Sequence, residues 1–341
     1  MLRVGIIGCG GIAAVHAKAL SEMTDAILCG FADPKQERAE RLRQKFGGPD
    51  SHSYESMGKL IAHEKPDVLH LCTPHALHVP MAITALRQGI HVFMEKPPAV
   101  SAEQFEELSR VCEETDARLG ICFQNRYNRT TEKALQMIRE RNLGKLLGGR
   151  AFVTWHRDAA YYTESDWKGS FETEGGSALI NQAIHTLDLL LMWLGEPLTV
   201  EATMANHHLQ GVIRTEDTCE VYMTFPEGRR GLLYASNAWV EDAPVQLELS
   251  FEKGLLRLED DRVTLRERES GTEKTEVMAF RENGAKRYWG EGHLRCISDF
   301  YDAILKERPY QNDLSSVRNT FTTLMRIYEA AGMSGKEDTH E

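Results

Sequence analysis

The sequence lacks the features that mark several classes of protein. Its seven cysteines include no C-x-x-C pair, and Cys72, Cys122 and Cys219 lie in apparent strands, where a free cysteine acts as a small apolar residue. This usage is typical of a reducing compartment. No apolar run is long enough to span a bilayer, and the first predicted strand begins almost at Met1, which leaves no room for a signal peptide. We therefore expect a cytoplasmic protein.

An excess of positive charge is also missing. The net charge is -11, whereas nucleic acids and anionic membranes bind basic surfaces, so neither is expected as a partner. A small anionic cofactor is compatible with this charge, because the N-terminus of a helix supplies local positive potential. The sequence has no internal repeat and no low-complexity linker. Its 341 residues are many for a single core, so two domains are expected.

The first 123 residues alternate apolar strand-like runs with helical patterns, as a parallel sheet requires. The predicted strands are "LRVGIIG", "AILCGFAD", "DVLHLCTP", "IHVFMEKPPAV" and "RLGICF". Because crossovers between parallel strands are right-handed, the C-terminal ends of these strands should meet at one edge of the sheet. Ligands of open α/β sheets bind at that edge.

After a helix predicted near 130–142, the pattern changes to short strands separated by turns. The predicted strands are "TVEATMA", "CEVYMTF", "GLLYASNAW", "VQLELSF", "GLLRLE" and "TEVMAF", and turns such as "PEG" and "EKG" are short enough for hairpins. Two helices follow, near 291–306 and 315–331. The predicted division is therefore a first domain at 1–123, a second at 124–333 and a polar tail at 334–341.

At the end of the first strand, Gly8, Gly10 and Ala13 have the G-x-G-x-x-G/A spacing of a dinucleotide-binding turn. Glycines there permit a tight turn and a close approach of a pyrophosphate, and the following helix offers its free N–H groups. The alternative is that the glycines serve only the turn. The strand before them and the helix after them favour a dinucleotide site, to which Gly11 and Ile12 would also belong.

Asp33 ends the second predicted strand, where an acidic residue about 20 residues beyond the glycines binds the ribose hydroxyls of an adenosine. The alternative is an Asp-Pro turn that only ends the strand. A carboxylate here would repel a 2′-phosphate, so NAD is favoured over NADP, although Arg38 on the next helix could approach such a phosphate.

The stretch "CTPHALH" ends another strand on the same edge. Thr73, Pro74 and His78 could line the nicotinamide side of a cofactor there, or they could form only a loop and the start of the next helix. His75 and His78 resemble a pair of metal ligands, but no third ligand cluster accompanies them. We therefore expect no metal.

The stretch "MEKPP" places Glu95 and Lys96 directly after an apolar strand, again on the ligand edge, where both could contact the cofactor. The two prolines restrict the turn. A lysine held at the end of a buried strand beside a cofactor can bind a substrate oxygen. A solvated turn is the alternative that spacing alone leaves open.

The stretch "GGSALINQAIHTLDLLLMWLG" predicts an apolar helix with no Lys, Arg or Glu between residues 177 and 194. Asn181, His185 and Asp188 interrupt it at i, i+4 and i+7, so they share one stripe of a regular helix. A solvated face would normally carry Lys or Glu, and a lone histidine on an apolar helix is more often part of the core. Asp188 would either orient the imidazole or tie the helix to a loop.

The connection "TWHRDAAYYTESDWKGSFETEGG" is rich in aromatic and polar residues. Trp155, Arg157, Tyr161 and Trp167 could stack on a sugar ring and bind its hydroxyls, together with His156, Tyr162 and Lys168. Long ordered loops are often functional, and an oligomer contact is the alternative. Upstream, "FQNRYN" places Asn125 and Arg126 where they could also approach a substrate.

Four of these stretches together resemble the Gfo/Idh/MocA oxidoreductases, whose namesakes include inositol dehydrogenase and glucose–fructose oxidoreductase. They are "GIIGCGGIAAVH", "CTPHALHVPMAITALRQGIHVFMEKPPA", "GGSALINQAIHTLDLL" and "GHLRCISDFYDAIL". The resemblance implies an α/β protein whose N-terminal Rossmann domain has a doubly wound parallel sheet. It also implies a C-terminal α+β domain with a large, open, mostly antiparallel sheet that supports homo-oligomers, as dimers or tetramers.

The resemblance further implies an NAD(P)-dependent dehydrogenase or reductase of hydroxyl carbons in sugars, cyclitols or related polyols. By the motif match, Lys96 takes the place of the catalytic lysine and His185 that of the histidine, while Asn181 stands where many members have Asp. Histidine can take a proton near neutral pH, and an ammonium group can stabilise a developing alkoxide. The alternatives are an NAD-dependent glycoside hydrolase and a non-catalytic protein that senses NAD or a sugar.

Overall fold

The structure, a computed structural model, describes residues 1–278 and 292–333. The chain forms two compact units: Met1–Phe123 with His293–Val317, and Gln124–Gly292 with the chain from Arg318 onward. The expectation that all of 124–333 forms one domain is therefore wrong, since residues 293–317 pack with the first unit. The polar tail at 334–341 and the last two residues of the predicted strand "TEVMAF" lie outside the described residues.

The first unit is built on a six-stranded sheet in which every neighbouring pair is parallel. The strands are β1 (Leu2–Ile7), β2 (Ala26–Ala32), β3 (His52–Tyr54), β4 (Val68–Leu71), β5 (His91–Met94) and β6 (Leu119–Ile121). Their order is β3-β2-β1-β4-β5-β6, which is the doubly wound arrangement. The predicted Rossmann sheet is thus confirmed; the short polar strand β3 was not predicted.

Helices cross over between these strands. They are α1 (Gly11–Ser21), α2 (Gln36–Phe46), α3 (Met57–Glu64), α4 (His78–Leu86) and α5 (Ala102–Glu114). The strands of such a sheet are covered on both faces, so consecutive rather than alternate residues are buried, at 4–7 of β1 and along all of β4. Val4, Ile6 and Leu69 are fully buried. This core fixes the C-terminal ends of the strands, where the predicted cofactor residues lie.

The second unit is built on an eight-stranded sheet with the order β14-β13-β12-β11-β7-β10-β9-β8. The strands are β7 (Leu146–Thr154), β8 (Thr199–Ala205), β9 (Thr218–Thr224), β10 (Arg230–Ser236), β11 (Gln246–Phe251), β12 (Gly254–Glu259), β13 (Arg262–Glu267) and β14 (Glu273–Val277). All pairs are antiparallel except β7 with β10. The predicted open antiparallel sheet is confirmed, although neither β7 nor β13 was among the predicted strands.

One face of this sheet is covered and the other is open. Ala151, Val153, Leu233 and Leu249 are buried on the covered face. The helices of this unit are α6 (Arg129–Glu140), α7 (Ala159–Thr163) and α8 (Ile184–Leu194), and a π-helical segment at Ala178–Ala183 leads directly into α8. The alternation of buried and exposed residues along the strands follows from the single covered face.

Two helices close the described chain, α9 (Gly292–Leu305) and α10 (Leu314–Ala330). The segment between them is tied to β6, because the backbone N–H of Ile121 donates to the carbonyl oxygen of Asn312 at 2.9 Å. The Asn312 amide in turn donates to the carbonyl oxygen of Phe123 at 3.1 Å. These bonds join residues almost 190 positions apart, which explains why the sequence pattern did not place 293–317 in the first unit.

Within the two described ranges, every helix is too short or too polar to cross a membrane. All seven cysteines carry free thiols, and six of them are buried. They act as small apolar side chains, as their places in the predicted strands indicated.

Candidate functional site

The glycine turn after β1 has the shape that a pyrophosphate requires. Gly8 has a φ of +82°, and a Cβ there would lie 2.6 Å from the carbonyl oxygen of Cys72. A Cβ at Gly10 or Gly11, by contrast, would meet no atom within 4 Å. Gly10 is the N-cap of α1 and provides no side-chain cap, so the N–H groups of the first turn suit an anion. Ile12, in that turn, is half-buried.

Two glycine variants separate the fold of this turn from its binding role. Gly8→Ala should lower the unfolding midpoint, since it combines a left-handed backbone with a backbone clash, at a cost of about 2 kcal/mol or more. Gly10→Ala should leave the midpoint nearly unchanged but weaken NAD binding about 10-fold or more, because its methyl group enters the open space. Calorimetric titration and thermal unfolding measure both. Unchanged NAD affinity in Gly10→Ala would contradict the predicted position of the pyrophosphate.

Asp33 holds the glycine turn in place. Its Oδ2 accepts a hydrogen bond from the Cys9 backbone N–H at 2.8 Å, and its Oδ1 accepts one from the Lys35 N–H at 2.8 Å. The side chain is almost fully buried at the end of β2. Each carboxylate oxygen has a second lone pair, which can accept from a ribose hydroxyl. The structure therefore adds an anchoring role to the predicted cofactor contact, which stays a prediction.

His78 joins the two other turns at this edge. It is fully buried, with Nδ1 2.8 Å from the carbonyl oxygen of Pro97 and Nε2 3.0 Å from that of Thr73. Burial lowers its pKa despite these acceptors. Its imidazole thus joins the two turns from inside the fold, and the predicted contact with the nicotinamide side stays a prediction. Thr73 and Pro74 are half-buried.

Glu95 ends a chain of four buried hydrogen-bonding groups. Its Oε1 lies 2.9 Å from His16 Nε2, His16 Nδ1 lies 2.8 Å from His70 Nδ1, and His70 Nε2 lies 3.0 Å from the Tyr301 hydroxyl. Burial opposes ionisation of Glu95, but the hydrogen bond and the charge of His16, with His293 and Lys96 beyond, hold its pKa well below the usual range. Burial also lowers the pKa of His70.

An ionised carboxylate fixes the direction of the first bond in the chain. Glu95 only accepts, so His16 carries a proton on Nε2 and donates to it. This buried bond holds Glu95 in place at the end of β5. The next residue, Lys96, is half-buried, and its peptide bond to Pro97 is cis.

Cys122 lies beside this chain. Its Sγ, His16 and Glu95 offer ligand atoms within 4.8 Å of one another. Burial keeps the pKa of the Cys122 thiol well above its usual range. Both nitrogens of His16 already lie at hydrogen-bonding distance from Glu95 and His70. We interpret the group as part of a hydrogen-bonded core.

The buried histidines of this unit predict a loss of stability in acid. Burial lowers the pKa of His293 to about 4, below the value near 6.5 of an unfolded chain. Its contribution is therefore complete above pH 6.5 and is lost as the pH falls through 4, which amounts to about 3 kcal/mol. Urea unfolding at pH 7 and pH 4.5 measures this, with the exposed His63→Gln as control. Equal slopes of stability against pH in His293→Gln and wild type would contradict it.

In the second unit, the three polar residues of the apolar helix bind different partners. Asn181 lies in the π-helical segment, so the predicted regular stripe is wrong at its first member. Its Nδ2 donates to Glu174 Oε1 at 2.5 Å. The wider π turn turns residue 181 away from the position that a regular helix would give it, and such turns are frequent at functional sites.

Asp188 ties α8 to two other segments. Its oxygens accept from Nη2 and Nε of Arg126 at 2.6 and 2.7 Å, and Oδ1 also accepts from the Thr320 hydroxyl of α10 at 2.7 Å. The carboxylate is buried, and the guanidinium is only slightly exposed. Of the two roles expected for Asp188, the tie to a neighbouring segment is therefore the one these contacts describe. Arg126 is bound to Asp188 rather than presented as a substrate ligand.

His185 lies one residue into α8, with Nε2 3.3 Å from the amide nitrogen Nε2 of Gln124. An amide nitrogen can only donate, so Nε2 of the imidazole is the acceptor and a neutral ring carries its proton on Nδ1. The single lone pair of Nε2 is then the basic site of His185, and the Gln124 amide must turn away from it before it can take a proton from a substrate hydroxyl.

The aromatic connection divides into a buried part and a more open part. Trp155 and Arg157 are buried, and Arg157 Nη1 pairs with Asp242 at 2.8 Å. The Arg157 guanidinium also lies 5.1 Å from the Trp155 ring. Both residues are thus largely buried, with the guanidinium against the indole ring, and their contact with a sugar stays a prediction.

The more open part centres on Tyr161. Lys168 Nζ lies 3.4 Å from the centre of its ring, and its hydroxyl accepts from Gln182 Nε2 at 2.9 Å. Trp167, six residues further along the chain, is half-buried. In the preceding segment, Asn125 Oδ1 accepts a hydrogen bond from the Asn128 amide at 3.3 Å. Tyr161, Trp167 and Asn125 remain candidates for a sugar contact.

Sequence reasoning missed several residues of these sites. They are His16, His70 and Tyr301 around Glu95, and Gln124, Glu174 and Glu216 around the helix. In the sequence, His16 looks like part of an apolar helix and His70 like part of an apolar strand. Glu174 looks like one of several acids in a polar loop. Only Glu174 gave a local signal, because it directly precedes a glycine pair and the apolar helix.

Comparison with known proteins places both units in one family. Residues 2–123 match the GFO/IDH/MocA "Oxidoreductase family, NAD-binding Rossmann fold", and residues 131–257 match the GFO/IDH/MocA C-terminal domain. The D-glucoside 3-dehydrogenase of Escherichia coli (strain K12) is 30% identical over 222 residues, which are 64% of this chain and 60% of that protein. The glucose-6-phosphate 3-dehydrogenase of Bacillus subtilis (strain 168) is 32% identical over 194 residues, 56% of this chain and 53% of that protein.

Solved structures share the whole fold. The WlbA dehydrogenase of Bordetella pertussis, in complex with NADH and UDP-GlcNAcA, has a TM-score of 0.82 and 24% identity, and the match covers 97% of this chain and 96% of that one. The two family matches together extend over both structural units. The chain belongs to the Gfo/Idh/MocA oxidoreductase family, and residues 2–123 form its NAD-binding Rossmann domain.

Proposed function

We propose that this protein is an NAD-dependent dehydrogenase that transfers a hydride between the nicotinamide and a hydroxyl carbon of a sugar or related polyol. The observation that carries the proposal is the rigid support of Lys96. A carboxylate locked by two buried histidines precedes it at the end of β5, on the edge of the sheet where ligands of this fold bind. A lysine held in this way is suited to bind a substrate oxygen.

The residues have distinct tasks in this reaction. Bound NAD supplies the hydride acceptor. The glycine turn and Asp33 hold the adenosine and pyrophosphate end, the ammonium of Lys96 stabilises negative charge on the reacting oxygen, and Nε2 of His185 takes the hydroxyl proton. Asn181 orients a neighbouring hydroxyl. Asp188 acts only by fixing α8, through its bonds to Arg126 and Thr320.

We further propose that the substrate is a hexopyranose oxidised at its 3-hydroxyl. Two relatives named above are 3-dehydrogenases, one of D-glucosides and one of glucose 6-phosphate. Half-buried Tyr161, with Lys168 over its ring and Gln182 at its hydroxyl, combines an aromatic ring with polar donors. Such a combination fits a sugar ring, which has an apolar face and a hydroxyl edge.

The test is the formation of NADH from NAD with methyl glucosides, glucose 6-phosphate and myo-inositol. Turnover of a glucoside, and none of its 3-deoxy analogue, is the expected result. Tight NAD binding without turnover would favour the sensing protein. Release of free sugar from an aryl glucoside without accumulation of NADH would favour the glycoside hydrolase.

We also propose that the open face of the eight-stranded sheet pairs with a second copy of the chain. Tyr222 lies opposite Leu232, and Tyr234 opposite Phe152, all on this face. Tyr222 and Leu232 are 39% and 40% exposed, and a contiguous apolar patch of this kind is typical of an interface. Leu232→Glu should shift the mass measured by light scattering towards a smaller species. An unchanged mass would contradict this interface.

A further inference from the structure

Glu174 is a buried carboxyl group that lies against Asn181. Its side chain is inaccessible to solvent. Oε1 accepts a hydrogen bond from Asn181 Nδ2 at 2.5 Å, and Oε2 accepts one from the backbone N–H of Gly169 at 2.6 Å. Two donors thus face the two oxygens. This arrangement is complementary to a carboxylate, whereas an acid or an amide would bring one of its own donors against a donor.

The contact determines which way the Asn181 amide faces. Its Nδ2 points to Glu174, so its carbonyl oxygen Oδ1 is directed away from that carboxyl group. A flipped amide would place Oδ1 against a carboxylate oxygen, and two acceptors would then face each other. Ionised Glu174 therefore selects the orientation in which Asn181 offers an acceptor, in the turn that precedes His185.

A second buried carboxyl group, Glu216, anchors the start of the same helical segment. Its Oε1 accepts from the backbone N–H groups of Ser177 and Leu179 at 3.0 and 2.9 Å, and from the Tyr328 hydroxyl at 2.8 Å. Its Oε2 is buried and has no hydrogen-bond partner among the described residues. Glu174 and Glu216 are therefore two acidic groups around one π-helical turn.

Several charges act on Glu174. Burial raises its pKa to about 7, while the hydrogen bonds from Gly169 and Asn181 oppose the rise; the charge of Glu216 adds to it and that of Lys168 opposes it. The Tyr162 phenol also interacts electrostatically with this carboxyl group, and burial keeps its own pKa above the usual range. Glu174 is thus a buried carboxyl group that exchanges its proton near neutral pH.

We propose that Glu174 is a positioning residue of this site, which in its ionised form holds Asn181 with the carbonyl oxygen towards a substrate hydroxyl, and on protonation reverses the amide. The inference rests on the proposed function, because it needs a substrate at Asn181 and His185. Residue 181 is an amide rather than an acid, and the carboxyl group beside it comes from Glu174, seven residues earlier. When Glu174 is protonated, its hydroxyl must donate, so Asn181 turns its Oδ1 to it and offers the substrate a donor instead.

A charge swap tests this mechanism. Glu174→Gln imitates the protonated state at every pH, so kcat/KM at pH 8 should fall about 10-fold or more, with wild-type NAD affinity. Asn181→Asp alone should also lower it, since two carboxyl groups would share one proton. In the double variant E174Q/N181D, the new amide at position 174 donates to the new carboxylate at position 181. The other oxygen of that carboxylate still faces the substrate as an acceptor. It should recover most of the activity.

The pH dependence of kcat/KM distinguishes this role of Glu174 from a purely structural one, which would not change it. On its acid side, the logarithm of kcat/KM in wild type should fall with a slope approaching about two, one proton for Glu174 and one for His185, and E174Q should reduce that slope to about one. The matched control is Glu172→Gln, an exposed carboxyl group bonded to Arg214 at 2.7 Å, which should change neither kcat/KM nor the slope.

A measurement without substrate separates this inference from the proposed function. The folded pKa of Glu174 is raised, so its stabilising contribution is present in acid and is lost as the pH rises through 7. The unfolding midpoint of wild type minus that of E174Q should therefore decrease from about pH 5 to pH 8. An active wild type with unchanged kcat/KM and slope in E174Q would overturn this inference alone. A wild type with no turnover would overturn the proposed function, and the inference with it.

Discussion

Replacing Lys96 by alanine is expected to lower kcat by about 10³-fold while NAD still binds with its wild-type affinity. Loss of one group that stabilises charge on a reacting oxygen costs this much in other enzymes. The loss should be large here because Glu95 and the buried histidines hold the residue before Lys96 rigidly. A flexible surface lysine would contribute far less.

Single-turnover formation of NADH and a calorimetric titration of NAD measure the two parts of this prediction. Lys45→Ala is a matched control, since Lys45 lies at the C-terminal end of α2, away from the ligand edge. Lys96→Arg should recover little, because the larger planar group does not replace an ammonium at a fixed point. A Lys96→Ala variant that keeps more than a tenth of wild-type kcat would remove Lys96 from the reaction.

Replacing His185 by alanine is expected to lower kcat by about 10²- to 10⁴-fold, the range typical of general base catalysis. Nε2 of His185 must be unprotonated to accept the hydroxyl proton, so wild-type oxidation should slow towards acid pH. His185→Ala should lose the His185 part of this dependence and retain that of Glu174. The sugar-reducing direction should show the opposite trend, because the imidazolium then donates the proton.

Gln124→Ala tests the residue that contacts His185. Its amide nitrogen lies 3.3 Å from His185 Nε2, so its loss should leave the base in place and alter kcat only a few-fold. His63→Ala, at an exposed position on α3, is the matched histidine control. A pH profile of kcat that is the same in His185→Ala and wild type would show that another group takes the proton.

The cofactor domain was predictable because its signals are local. Gly8 needs a positive φ, and the strand before it and helix after it are each visible in a dozen residues. Asp33 shows the limit of such signals. The sequence indicated an acid at the end of a strand, but only the folded chain shows that Cys9 and Lys35 donate to it.

The polar residues of the apolar helix were predictable as a group but not in their geometry. A period of 3.6 residues assumes one helix type, and the chain uses a π turn at Asn181 before the regular turns at His185 and Asp188. Similarly, composition marked Trp155 and Arg157 as candidate sugar ligands, but the sequence could not show that both are buried. The partner of Arg157, Asp242, lies far along the chain.

Local patterns were enough to predict the alternation of strands and helices in the first unit, the glycine turn, the strand ends at Thr73 and Glu95, and the family. These depend on neighbours within a few turns of chain. The return of residues 293–317 to the first unit and the partners of Glu95 depend on the folded chain. Folding also brought Glu174 against Asn181. Each of these is a contact of a polar group that burial obliges to find a partner, and the fold, rather than the local pattern, chooses which partner is within reach.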